Sequence, residues 1–462
     1  MIALVLLLLL GGLMQSVRAF VPEGMPVGGA DGTELAFGFV VLTALFAGRL
    51  VSRLAMPRVT GYLVAGIVTG PWVLALLSHD MVHALRFVNG VAICLIALTA
   101  GGELRVAEMR PLARTIGWMT VSAVLGTALL TAGGVMALRP WLPWLAELPI
   151  GVSVAIALVV GVTLASQSPA VVMALLAETR SDGPLSRVTL GLVVVADLVV
   201  IILYAVVASV ANGLLGAGGG PLETALGVAW ELFGSIAVGV ALGGLLALYL
   251  RKVVGGVGLF VLLVCAVVSE VGTVVHLDPL IVCLTAGIFL ENVARADASA
   301  LIHDMEAASL PVYLVFFAVA GASLDLDALS RVAAPAVVLV VIRGLGLWLG
   351  GRWAAKHTGA APAVVQWAWT GLLPQAGLAL ALALIMARTF GELGREAAVL
   401  VLGVVAINQL VGPVLMRLGL VQAGETGRRA AAEFAGAEEA AATEPGPQPE
   451  TAPASLATPE SP

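Results

Sequence analysis

Thirteen apolar stretches alternate with short polar connections along the chain after residue 30. They run approximately over 35–54, 58–78, 85–104, 112–138, 149–177, 186–212, 222–250, 256–275, 279–294, 309–325, 332–355, 362–390 and 395–418. Crossing a bilayer as a helix takes about 20 apolar residues, so most are long enough and the ninth and tenth are short. None shows the short alternating segments of a transmembrane barrel. The pattern predicts an all-α polytopic membrane protein. Ahead of these segments, Met1 to Met14 is an uncharged apolar run followed by Gln15-Ser16-Val17-Arg18-Ala19. Residues 1–21 read as a signal peptide cleaved near Ala19, with an extra N-terminal helix as the alternative because the basic leading region is missing.

Two segments are interrupted where a helix should continue. The fifth carries Ser166-Gln167-Ser168-Pro169 at its middle, and the twelfth carries Pro374, Gln375 and Gly377. Proline lacks an amide donor and clashes with the carbonyl one turn earlier, so each run is expected to kink or unwind there. Freed carbonyls are tolerated in a membrane only where protein buries them or a polar cavity takes them up. The two breaks are seven segments apart, an odd number, so the helices run in opposite directions. Six segments, a linker and six more is the arithmetic of an inverted repeat, in which paired broken helices mark a midplane site.

Beside the first break stands an isolated acid. Asp197 is the tenth residue of VTLGLVVVADLVVIILYAVVA, Val188 to Ala208, which holds no other charge. An acid at the centre of a span costs about 2.5–3.5 kcal/mol on insertion scales, and chains that keep one use it for ion pathways or proton relays. Carrying a small cation means replacing its water shell with about six oxygens. Ser166, Ser168, the Gln167 side chain and carbonyls unwound near Pro169 can supply neutral ones, and Asp197 the charge. Low dielectric favours a protonated acid, so cation and proton compete for one carboxyl. The second buried charge is Arg343, within Val332 to Gly351. It keeps its proton and needs an acid or helix carbonyl ends as partner. It is expected near Asp197 or at a helix break, with a snorkelling structural arginine as the alternative. Glu231 and Glu270 are also intramembrane by this reading, with no role assigned.

Composition agrees with a membrane chain: 60% of residues are hydrophobic and 11% charged, against about 25% charged in soluble domains. Cys94, Cys265 and Cys283 lie in apolar runs without metal-ligand spacing. Basic residues are placed asymmetrically. Arg49, Arg53, Arg58, Arg105, Arg110, Arg114, Arg180, Arg187, Arg251, Lys252, Arg295, Arg352, Lys356, Arg417, Arg428 and Arg429 fall at one set of segment ends. Arg18, Arg86, Arg139, Arg331, Arg388 and Arg395 fall at the other. The positive-inside rule puts the first set, and the C-terminal tail, in the cytoplasm. That tail, 420–462, holds seven glutamates against Arg428 and Arg429 and is expected to be disordered. No phosphate loop or nucleotide-binding unit follows the last helix, and no basic patch points to nucleic acid. No cofactor is expected, nor any enzymatic nucleophile–base pair.

The stretch PRVTGYLVAGIVTGP, Pro57 to Pro71, resembles a second-helix signature of the monovalent cation–proton antiporter superfamily, the sodium/hydrogen exchanger domain. So do SPAVVMALLAE (Ser168 to Glu178), LDPLIVCLTAGIFLEN (Leu277 to Asn292), VYLVFFAVAGASLDL (Val312 to Leu326) and GLLPQAGLALAL (Gly371 to Leu382). The matches occur in order across about 35–418. The resemblance implies a homodimer with a dimerisation panel, about 35–104 and 256–325. It also implies a linker helix, about 222–250, and an ion-carrying core, about 112–212 and 332–418. The family's paired Asn-Asp or Asp-Asp motif falls on Ala196-Asp197, which keeps the acid but not its polar predecessor. Gln167 and Ser168 stand where the family usually carries threonine or a second acid, which leaves selectivity open. Arg343 matches the family's basic residue, and arginine there implies electroneutral exchange. Potassium-efflux members often carry a nucleotide-sensing domain, and none is expected here.

The sequence thus points to exchange of Na⁺ or K⁺ for H⁺ across a bacterial-type inner membrane, with membrane lipid as surroundings. The cation would dwell transiently on Asp197. Two other readings stand beside it: an uncoupled cation channel or sensor on the same scaffold, and a sodium-coupled symporter for an organic anion.

Overall fold

The structure is a computed structural model that describes residues 2–20, 33–54, 56–215, 230–252, 257–275, 277–294 and 311–428. Those residues form helices and connections with no strand. Among the described residues, eight helical stretches are long and apolar enough to cross a membrane: 34–52, 79–102, 110–137, 150–179, 184–215, 230–251, 329–357 and 391–422. Shorter apolar helices also occur, among them Arg58–Thr69, Pro279–Ala294 and Gly377–Thr389.

In chain order the principal helices are α1 (Ile2–Phe20), α2 (Thr33–Ser52), α3 (Arg58–Thr69), α4 (Arg86–Glu103), α5 (Ala113–Ala137), α6 (Ile150–Leu164), α7 (Pro169–Thr179) and α8 (Pro184–Leu215). There follow α9 (Ser235–Lys252), α10 (Val257–Val275), α11 (Pro279–Phe289), α12 (Pro311–Ala322), α13 (Leu326–His357), α14 (Pro362–Gly371), α15 (Gly377–Thr389) and α16 (Gly391–Gln422). The fifth apolar stretch is α6 plus α7 and the twelfth is α14 plus α15, each split at its proline. The second stretch, expected as 58–78, is helical only to Thr69. Gly70 turns extended and Pro71 follows, which disfavours a helical residue before it. Within the seventh stretch, Trp230–Gly234 is a π turn, and the ninth ends in one, Leu290–Ala294. Residues 2–20 form a helix along α2. The tail beyond Arg428 lies outside the described residues.

The helices pack as two groups. In one, α5 lies along α13 and α6, α8 crosses α5, α6 and α14, and α16 packs on α13, α14 and α15. In the other, α11 lies between α4 and α9, α10 joins α4, and α2 packs on α3. Backbones touch inside the second group. A Cβ on Gly66 of α3 would strike the Ala318 carbonyl of α12, and one on Gly101 of α4 would strike the Leu284 carbonyl of α11. Small residues permit that approach where water supplies no driving force between helices. The groups meet where α7 touches α3 and α4 and where α16 touches α3.

Candidate functional site

Both helix breaks lie in the first group and meet each other. α6 ends at Leu164, and α7 restarts at Pro169 with Ser168 as its N-cap, the Ser168 hydroxyl accepting from the Val171 amide at 3.3 Å. Proline suits that first helical position because its missing amide would be unpaired there anyway. α14 ends at Gly371, residues 372–376 are irregular, and the next helix starts at Gly377, which is exposed. Two helix C-termini therefore present unpaired carbonyls inside the protein, each at the negative end of a helix dipole.

Arg343 of α13 takes up those carbonyls. The side chain is fully buried. Nε donates to the Leu164 carbonyl at 2.6 Å, and Nη2 to Ser166 at 2.8 Å and Leu372 at 3.0 Å. Nη1 donates to Leu373 at 2.9 Å. One guanidinium thus ties the end of α6 to the end of α14. Of the two places expected for it, Arg343 stands at the breaks and makes no ion pair with Asp197. Gln375 reinforces the junction: Nε2 donates to the Leu164 carbonyl at 3.1 Å and to Ser166 at 3.2 Å. Its Oε1 accepts from Asn408 Nδ2 of α16 at 2.8 Å. Asn408 is absent from the sequence reading, although a polar Asn408-Gln409 pair inside VLGVVAINQLVGP was a signal for it.

The remaining polar atoms at the first break are held locally. The Ser166 hydroxyl donates to the Thr163 carbonyl at 2.7 Å, and Gln167 Nε2 donates to Ala165 at 2.6 Å. Gln167 Oε1 is enclosed without a hydrogen-bond partner, as is Thr127 Oγ1 on α5. Buried polar groups in this state are uncommon, and each calls for an explanation such as an unfilled ion or water position.

Asp197 sits on α8 between two fixed points. Thr189 packs on Gly371 at the end of α14, and the Tyr204 hydroxyl donates to the Leu382 carbonyl of α15 at 3.4 Å. At 1.5 Å per residue, Asp197 lies roughly 12 Å beyond the first and 10 Å before the second, level with the break between α14 and α15. The carboxyl is half-buried and its Oδ1 is enclosed with no hydrogen-bond partner. No hydrogen bond connects it to Ser166, Gln167 or Ser168. Its predecessor Ala196 is fully buried in packing.

A second acid, unnoticed in the sequence, lies within electrostatic reach of this carboxyl. Asp278 caps α11, its Oδ1 accepting from the Leu280 amide at 2.8 Å and the Ile281 amide at 3.4 Å. It lies near enough to Asp197 for the two charges to interact. No group of three or more His, Cys, Asp or Glu side chains converges on a metal-sized site among the described residues.

Residues 39–417 match the family described as "Sodium/hydrogen exchanger, transmembrane". Among curated proteins, the chain is 31% identical over 170 residues to the "Iron transporter MagA" of Paramagnetospirillum magneticum, a match covering 36% of each chain. The chain therefore spans about a third of that relative's length. Two solved structures of the sodium proton antiporter MjNhaP1 from Methanocaldococcus jannaschii share the fold. One, at pH 8, superposes with a TM-score of 0.60 at 15% identity over 86% of this chain and 98% of the other. The second, from electron microscopy, gives 0.61 at 17% identity over 87% and 98%.

Proposed function

This chain belongs to the sodium/hydrogen exchanger transmembrane family, and from that premise we propose that it exchanges a monovalent cation, Na⁺ or K⁺, for H⁺ at Asp197. The observation that carries the reading is the separation of the two buried charges. Arg343 spends its donors on four backbone carbonyls at the helix breaks, while Asp197 has no basic partner and an enclosed, unpaired Oδ1. A carboxylate in that position needs a countercharge, and a mobile cation or a proton supplies it. Either one neutralises Asp197, so loading with cation and loading with proton leave the same net charge. One-for-one electroneutral exchange follows.

Ser166, Gln167 and Ser168 are the proposed neutral ligands, and Pro169, Pro374, Gln375 and Gly377 keep the two helices open there. The free Gln167 Oε1 fits this role. The proposed body is thirteen spans in two inverted repeats, with a core of about 112–212 and 332–418 moving as an elevator against a panel of about 35–104 and 256–325. The proposed setting is a homodimer in a bacterial-type inner membrane, with the arginine-rich ends and the tail in the cytoplasm.

Proteoliposomes with an imposed pH gradient provide the test, run across Li⁺, Na⁺, K⁺ and Rb⁺ with and without an ionophore voltage clamp. Proton movement on addition of Na⁺ or K⁺, unchanged by the clamp, supports the proposal. Proton movement with none of the four cations rejects it.

A further inference from the structure

Glu178, the penultimate residue of α7, caps a helix in the other packing group. Its Oε1 accepts from the Arg58 amide at 2.6 Å and its Oε2 from the Val59 amide at 3.4 Å. These are the first amides of α3. The N-cap of α3 is Pro57, which offers no side-chain acceptor, so the cap comes from 120 residues away. A carboxylate on a helix N-terminus is held both by hydrogen bonds and by the helix dipole. The rest of this boundary is unlike Glu178. Among the described residues no other hydrogen bond joins α7 or α16 to α3. Such a surface slides without stranding polar groups, whereas a carboxylate bonded to two amides does not.

The charged surroundings come from three helices. Arg58 and Tyr62 stand on α3, Arg417 stands on α16, and Arg49 of α2 is within electrostatic reach of Tyr62. Arg417 is within electrostatic reach of Glu178, and its Nη1 is enclosed without a hydrogen-bond partner. α16 belongs to the same packing group as α7's continuation α8. A carboxylate leaving α3 therefore keeps a cation within reach on its own side of the boundary.

We infer that Glu178 is a latch between the ion-carrying core and the panel, closed on the α3 amides in the conformation seen here and opened whenever the core moves. The inference rests on the elevator reading above. Displacement of α7 by one helical turn, about 5 Å, separates both donors from the carboxylate. Asp197 then changes its access only after Glu178 has let go. Glu178 is a positioning residue: it touches no transported ion and acts through the population of one conformation.

Cross-linking across the boundary tests this directly. The three native cysteines, all buried, are replaced by alanine to give a parent. Arg58→Cys and Glu178→Cys are then introduced and joined in proteoliposomes by a short bifunctional methanethiosulfonate. Complete joining is expected to cut cation-dependent proton flux at least tenfold, and reduction to restore it. Full flux in the joined protein overturns the latch. A parent with no Asp197-dependent flux overturns the exchange reading itself, and the latch with it. In the otherwise native chain, Glu178→Ala is expected to change turnover by about tenfold and Glu178→Gln by less, the scale of charge-assisted hydrogen bonds. The relative affinities for Li⁺, Na⁺ and K⁺ should stay fixed. Unchanged turnover in Glu178→Ala, or altered selectivity, contradicts the proposal.

Discussion

Replacing Arg343 by methionine isolates what the guanidinium does. Methionine keeps a long apolar stem and removes every donor. The Leu164 and Ser166 carbonyls then retain Gln375 Nε2 at 3.1 and 3.2 Å. The Leu372 and Leu373 carbonyls, held by Arg343 at 3.0 and 2.9 Å, are stranded. A buried acceptor left unpaired costs about 1–3 kcal/mol, so two of them predict a loss of roughly 2–6 kcal/mol. Removing a desolvated charge offsets part of this, as replacements of buried ions by apolar groups show. The expected net loss is about 2–4 kcal/mol, measured by reversible unfolding in mixed micelles. Arg343→Lys keeps one ammonium with three donors and should fall between the two. A methionine variant within about 0.5 kcal/mol of the native chain would refute the assignment of Arg343 to the helix ends. So would a variant rescued by neutralising Asp197, because that would reveal an ion pair between them.

Three further outcomes follow from the packing. The Glu425 carboxylate accepts from the Leu185 amide at 2.7 Å, the Ser186 amide at 2.8 Å and the Ser186 hydroxyl at 2.7 Å, at the start of the helix that carries Asp197. A chain ended after Arg428 should therefore melt like the full chain. One ended after Gly424, or carrying Glu425→Ala, should lose about 2–3 kcal/mol, the worth of charge-assisted bonds at a helix N-terminus. Asn408→Ala strands Gln375 Oε1 and should cost about 1–3 kcal/mol in the same assay, whereas Asn408→Asp restores an acceptor but no donor and should rescue nothing. Gly66→Val and Gly101→Val should abolish recovery of folded protein on size-exclusion chromatography. Gly126→Ala, with open space around its Cβ position, should leave recovery unchanged.

The helical architecture was legible because apolar runs in a membrane protein are set by bilayer thickness, a constraint that acts on each segment alone. The two breaks were legible for a similar reason, since Pro169 and Pro374 act on their own helices. The stop of α3 at Thr69 was missed because Val68, Trp72 and Val73 keep the hydropathy high past the Gly70-Pro71 turn. Arg343 could be recognised as needing an acid or helix carbonyl ends, but the choice between them depends on which groups the packing brings beside it, and four carbonyls at the breaks take its donors. The roles of Asn408 in holding Gln375, of Glu178 in capping α3 and of Glu425 in capping α8 were equally hidden. Each depends on which helix end lies opposite, and that is a fact of tertiary packing. Asp278 was passed over because a capping aspartate before proline at a helix start looks purely structural.

The central claim is that Asp197 carries cation and proton by turns. Purified protein in weakly buffered detergent, titrated with the transported cation over a pH series, reports this directly through proton release. The account predicts about one proton released per cation bound in the native chain and none in an equally stable Asp197→Asn variant. Equal release from both proteins would contradict it.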